Sequence, residues 1–302
     1  MAGLPTYAVP PSFLGVANTN RSARFVVAGI PMDIGTTNRP GTREGPAAIR
    51  RASRMLTDGD HPVHRIEPAR LDLADIGDFE LALGDIQASL SAIEAQAAGI
   101  GHLIALGGEH GVTLPLLRAL RTRLGQPLAL LHVDAHVDTW PDNFGQAYAH
   151  GSPFYHAINE GLVDPKRMIQ VGVRSPAQND VTDWTRAQGV TILSAQDVHA
   201  STPAAVVGRI RSVVGEAPTY LSFDIDALDP AFAPGTGTPE IGGLASWQAQ
   251  AILRGLGASR SGTVRFVGMD IVEVAPAYDH AEITALAAAT LVWEYLSLCG
   301  VN

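Results

Sequence analysis

The chain has 302 residues, 46% of them hydrophobic and 17% charged, and a formal charge of −9 with Lys166 as its only lysine. That composition describes a folded chain with a sizeable core. Its acidic balance and scattered arginines exclude nucleic acid or an anionic membrane as the main partner. Cys299 is the only cysteine, so no internal disulfide can form and a reducing, cytoplasmic setting is expected. The opening MAGLPTYAVPPSFLGVAN lacks a charged start and a continuous apolar core, so it does not read as a signal peptide.

In chain order, 1–23 reads as an N-terminal extension to a core at 24–302, the two forming a single domain. Arg24 to Ile30 is a short apolar strand. The loop Pro31 to Gly45 is rich in Gly and polar residues, and either covers a pocket or simply connects. It ends at Gly45-Pro46, where proline suits the first turn of a helix through Ile49 and Ala52. Further strands are expected at Leu71 to Ile76, His102 to Leu106, from Leu128, at Met168 to Val173, Val190 to Leu193, Thr219 to Ile225 and Val264 to Val272. Helical periodicity marks Ile86-Leu90-Ile93, Leu117-Leu120-Leu124 and Ser246 to Leu256. Ile283 to Cys299, preceded by a possible capping box at Asp279 and Glu282, reads as a buried helix and is short for a membrane span.

Alternating strands and helices imply a parallel α/β sheet, open or closed into a barrel, with sites at the carboxyl ends of the strands. Three such ends carry metal-ligand chemistry. His110 follows the third strand in GGEH; Asp134, His136 and Asp138 follow the fourth in HVDAHVD; Asp224 and Asp226 end the strand in SFDIDALDP. Spacing by two puts alternate side chains of an extended segment on one face. Carboxylates crowded in that way call for a cation. Six ligands exceed the usual zinc set and suit two metals sharing carboxylates. Oxygen-rich ligation with imidazole favours manganese over nickel, cobalt or iron. Four aspartates balance two divalent ions, and a bridging hydroxide then favours a cationic substrate.

Other residues stay open on the residues alone. His132 reads as a buried neutral histidine, with metal ligand the minor alternative, His150 as a loop residue that overhangs the site or merely faces solvent, and Glu273 as a substrate anchor or a capped turn. Asp270 reads as structural, and Glu240 as solvent-facing or capping.

Together GTREGPAAIR, GGEH, DAHVD, AHGS, SFDIDALDPAFAPGTGTP, DIVEVAP and EITALAAAT resemble the ureohydrolases (arginases, agmatinases and related guanidino hydrolases), nearest to the bacterial agmatinases. The resemblance implies a three-layer α/β/α fold with an eight-stranded parallel sheet, two Mn2+ ions per subunit, and a homotrimer or homohexamer. It places His110, Asp134, Asp138 and Asp224 on one ion and Asp134, His136, Asp224 and Asp226 on the other. It makes Glu273 the guanidinium anchor, Asp138 a proton carrier and His150 a proton-transfer group, with agmatine hydrolysed to urea and putrescine through a metal-bridging hydroxide. A guanidinobutyrase or other ω-guanidino acid hydrolase is the alternative, with Arg174 or Arg39 meeting an acid tail; a catalytically silent metal-binding homologue fits the full ligand set less well. The chain departs from the family at Glu109 and Gly111, where GGDH followed by Ser is usual. The loop after Asp138 and the run Val173-Arg174-Ser175-Pro176 differ from those of arginases, so arginine is not the expected substrate.

Overall fold

A computed structural model describes residues 9–257 and 264–301. Eight strands form one parallel sheet: β1 (Phe25–Ile30), β2 (Leu73–Asp78), β3 (Leu103–Gly107), β4 (Leu128–Val133), β5 (Val163–Val173), β6 (Thr191–Ser194), β7 (Thr219–Asp224) and β8 (Phe266–Val272). Their order is β2-β1-β3-β8-β7-β4-β5-β6, an open sheet and not a barrel. β1, β3, β4, β7 and β8 are buried along their whole length, as strands covered on both faces must be.

Alternation along each strand feeds two apolar layers. Ala129, Leu131 and Val133 of β4 face one, with Ile49 of α1 (Gly45–Ala52), Ile210 of α7 (Pro203–Val214), Ile252 of α8 (Ser246–Leu256) and Leu296 of α9 (Ile283–Gly300). Leu128 and Leu130 face the other, with Ile93 of α2 (Ile86–Ala97), Leu117 of α3 (Thr113–Leu124) and Phe154 of α4 (Pro153–Asn159). The result is the three-layer α/β/α arrangement. Leu131 is fully buried, so Leu131→Ala would cost about 2–5 kcal/mol.

Four helices go unmarked by sequence periodicity: α4, α5 (Asn179–Ala187), α6 (Ala195–His199) and α7. Local chemistry accounts for two of their starts. Ser194 and Asp197 close a capping box on α6, and Thr202 caps α7 ahead of Pro203. The box expected at Asp279 and Glu282 does not form. Asp279 accepts from the backbone N–H groups of Thr284 and Ala285 instead, while Glu282 is left-handed and pairs with Arg51. In α9, the one helix long and apolar enough to cross a membrane among the described residues, most of the surface is buried. Its buried Glu294 meets His61 at 2.8 Å and accepts from Arg254. Residues 9–23 also join the core: Phe13 and Leu14 are buried, and the Phe13 N–H donates to Asp75, which Arg50 holds from the other side.

The strand order positions the site. The chain lays β4 away from β3 and later fills the gap with β8 and β7. The carboxyl ends of β3, β8, β7 and β4 therefore stand side by side, at the kind of reversal where α/β sheets open a crevice.

Candidate metal centre and its cleft

At the end of β3 the chain passes extremely close to the loop after β1. A Cβ on Gly108 would lie 2.0 Å from the Met32 carbonyl oxygen, so only glycine fits there. The Gly108 and Glu109 N–H groups donate to Ile30 O and Met32 O across this contact. His110 follows, fully buried. Ser222 Oγ–H donates to Asp270 Oδ1 at 2.7 Å, so His110 Nε2–H, 2.8 Å from that Ser222 oxygen, is the donor in their bond. Asp270 also accepts from Thr113 Oγ1 and Tyr220 OH. This leaves His110 Nδ1 without a hydrogen-bond partner, 3.1 Å from Asp134, 2.9 Å from Asp138 and 3.2 Å from Asp224.

β4 ends at Val133, before the first of these aspartates. Asp134, His136 and Asp138 therefore converge by a turn and not by the pleat of a strand. The His136 N–H donates to Asp134 Oδ1 at 2.6 Å, and Asp138 takes a left-handed φ of 49°. β7 repeats the device: the Asp226 N–H donates to Asp224 Oδ1 at 2.9 Å within a single 3-10 turn. Aspartate favours such turns because its carboxylate reaches the backbone two residues on. His136 Nδ1 then lies 3.2 Å from both Asp134 Oδ1 and Asp226 Oδ2.

Two groups able to hold a metal ion result, His110-His132-Asp134-Asp138 and Asp134-His136-Asp226, with Asp134 common to both. Burial, reinforced by Asp226 and Asp134, pushes the Asp224 carboxyl well above the usual range. Burial likewise raises Asp226, although His136 opposes it. Asp134 moves the other way: burial would raise it, but His132, His110 and His136 together hold it well below. A cluster so divided is what a shared cation resolves. His132 is buried; its Nε2 lies 2.7 Å from Asp134 Oδ2, while the Gln170 amide donates to its Nδ1 at 3.0 Å.

Glu273 follows β8 with φ 64° and is 1% exposed. Its Oε1 accepts from the His110 N–H at 2.8 Å and from His150 Nδ1 at 3.0 Å, whereas its Oε2 is buried without a partner. His150 Nε2 sits 2.7 Å from Thr37 Oγ1. Burial would lower the His150 pKa, but the Glu273 carboxylate outweighs it and raises the imidazole to about 9. Burial and then Glu273 push Glu109 up to about 7.

A cleft of about 650 Å³ opens onto these groups. His136, Asp138 and Asp224 form its floor; His150, Thr37 to Arg39, Trp140, Asp142 to Phe144 and Thr238 to Glu240 line it above as its rim. The loop after β1 thus does cover the pocket. Glu240 lines the cleft with its side chain still 32% exposed, accepting from Ser175 Oγ at 2.8 Å with His136 Nε2 3.9 Å away. Arg174 cannot meet an acid tail. Its guanidinium donates to the backbone carbonyls of Gly172, Asp226, Ala227, Leu228, Glu240 and Ile241. Sequence reasoning also passed over Ser222, although its spacing of two from Asp224 was a usable signal. Thr37 and Gln170 offered none.

A profile of the arginase family matches residues 23–297. The chain belongs to the arginase family. It is accordingly a hydrolase of guanidino C–N bonds, with the His/Asp cluster as its metal-binding site. Among relatives in this family, it is 46% identical to an agmatinase of Cronobacter sakazakii over 91% of this chain and 87% of that one. Identity to the agmatinase of Serratia proteamaculans is 45%, over the same shares. The crystal structure of a hypothetical agmatinase from Burkholderia thailandensis superposes with a TM-score of 0.89 at 43% identity, covering 97% of this chain and 91% of that one. The proclavaminate amidino hydrolase of Streptomyces clavuligerus gives 0.90 at 37%, covering 98% of each.

Proposed function

We propose that this chain is a dimanganese agmatinase, hydrolysing agmatine to urea and putrescine. One observation carries the reading: the buried, unpartnered Glu273 Oε2 lies among His110, His150 and the carboxylate cluster, as an anchor for a guanidinium requires. In this reading His110, Asp134, Asp138 and Asp224 would hold one ion, and Asp134, His136, Asp224 and Asp226 the other. The donor set fits such ions, because His110 Nδ1 is buried, unpartnered and turned toward three carboxylates. Oxygens with two imidazoles suit manganese. The ions would supply Lewis acidity, making water nucleophilic near neutral pH.

The chain's own residues do the rest. Glu273 pairs with the guanidinium and fixes its carbon above the floor. Asp138 takes the proton of the attacking water and delivers it to the departing amine. His150, protonated up to about pH 9 beside Glu273, supplies a further proton at the cleft. The rim supports a cationic tail: Asp142 and Glu240 line it, and Arg39 is the one arginine among the described lining residues. Relatives named agmatinase at 46% and 45% identity support the same substrate. A cytoplasmic homotrimer or homohexamer belongs to this reading through the family resemblance.

The test is urea release by manganese-loaded protein from agmatine, arginine, 4-guanidinobutyrate, 3-guanidinopropionate and guanidine. Agmatine should be preferred. Preference for an acid-tailed compound would overturn agmatinase alone; no urea from any would overturn the whole reading.

A further inference from the structure

Glu109 precedes the ligand His110 and is fully buried, yet its hydrogen bonds go elsewhere. Its Oε2 accepts from the Gly35 N–H at 2.7 Å and from Thr36 Oγ1 at 3.2 Å. Both belong to the strap Asp33–Gly41, which contains no helix or strand. The strap's two ends are joined by Gly41 N–H to Asp33 Oδ2, and between them Asn38 donates to the Gly237 carbonyl. Glu109 grips it at Gly35 and Thr36, and the next residue's N–H donates to His150 Nε2 at 3.2 Å. One residue beyond that grip, Thr37 Oγ1 meets His150 Nε2 at 2.7 Å, and the opposite ring nitrogen meets Glu273.

The surroundings are shaped for a glutamate. A Cβ on Gly35 would lie 2.6 Å from Glu109 Oε1, and one on Gly111 would lie 3.1 Å from the same atom. Any side chain at either position would crowd the carboxylate. An aspartate would be shorter by one methylene, about 1.5 Å of reach, and could not keep its 2.7 Å bond to Gly35 without moving the backbone.

We infer that Glu109 is a positioning residue: it pins the Asp33–Gly41 strap so that Thr37 sets the His150 ring against Glu273, with Gly35 and Gly111 providing its room. The inference rests on the proposed roles of His150 and Glu273. Glu109 makes its side-chain hydrogen bonds to the strap and none to the cluster, so the effect of its loss on kcat is expected through that ring.

The test compares Glu109→Asp and Glu109→Gln with the wild type, all full-length and manganese-loaded. Hydrogen–deuterium exchange over 33–41, bound manganese, and kcat and KM for agmatine are measured. Glu109→Asp should speed exchange in the strap by about 10-fold. It should lower kcat about 10-fold, with KM changed less than about 3-fold and manganese retained. Glu109→Gln keeps the length and an oxygen for Gly35, and should stay within about 3-fold of wild type. Unchanged strap exchange in Glu109→Asp overturns the inference, as does a kcat loss that follows manganese loss. If the wild type hydrolyses no guanidine, the proposed reaction falls, and strap exchange still decides whether Glu109 holds the strap.

Discussion

The floor of the cleft and its rim are held together by different means. On the floor, Asp134 and Asp224 are each fixed by the backbone N–H two residues on, so each strand end shapes itself. Above it, Gly35 is held by Glu109, Thr37 meets His150, and His150 meets Glu273, across separations of 74, 113 and 123 residues. A local turn needs little from the rest of the fold. A distant contact needs all of it, so substitutions on the floor should act on metal and those above it on rate.

The largest effect should come from Asp134→Asn, which removes the carboxylate common to both groups. Bound manganese should fall below one ion per subunit, and turnover should drop on the order of 10³-fold. Metal analysis with urea assays checks both. Glu273→Gln sits on the other side of the divide. It should retain the metal while kcat/KM for agmatine falls roughly 10²–10³-fold; metal loss instead would place Glu273 with the floor.

His150→Asn should keep the metal and lower kcat about 10²-fold. It also has a signature in stability. The folded imidazole titrates near 9 against 6.5 for the free side chain. The stabilisation it contributes is fully present below about 6.5 and lost as pH rises through about 9. Thermal melts of the wild type should therefore decline across that window more steeply than those of His150→Asn. The smallest effect belongs to the rim. Glu240→Gln should raise KM for agmatine only about 2–5-fold, since a half-exposed charge is screened, and should leave kcat unchanged.

The same division explains what could be read from residues alone. The floor is written in spacing: Asp134, His136 and Asp138, then Asp224 and Asp226, announce their chemistry within a few positions. Even there the reason differed, since the side chains converge through turns and not along a pleated strand. Most strands were legible as apolar runs because a sheet covered on both faces leaves them no polar positions. α4 to α7 were not, being short or begun by caps more than by a long apolar stripe. Nothing near Arg174 indicates that six carbonyls consume its guanidinium, and nothing near Glu109 names Gly35. Those contacts exist only once the sheet is ordered.

That order has a consequence for how the molecule is made. β3 and β4 carry His110 and Asp134 but are not neighbours, and β7 and β8 enter between them only after most of the chain has been laid down. A ribosome that has finished β4 has released half of the floor with an open gap beside it. Two unpaired strand edges remain exposed until Thr219–Val272 emerges to close them. The strands that fill the gap are thus the ones that bring Asp224 and Asp226 to the cluster. A chain stalled before β7 holds the His110-His132-Asp134-Asp138 group but lacks Asp226 of the second.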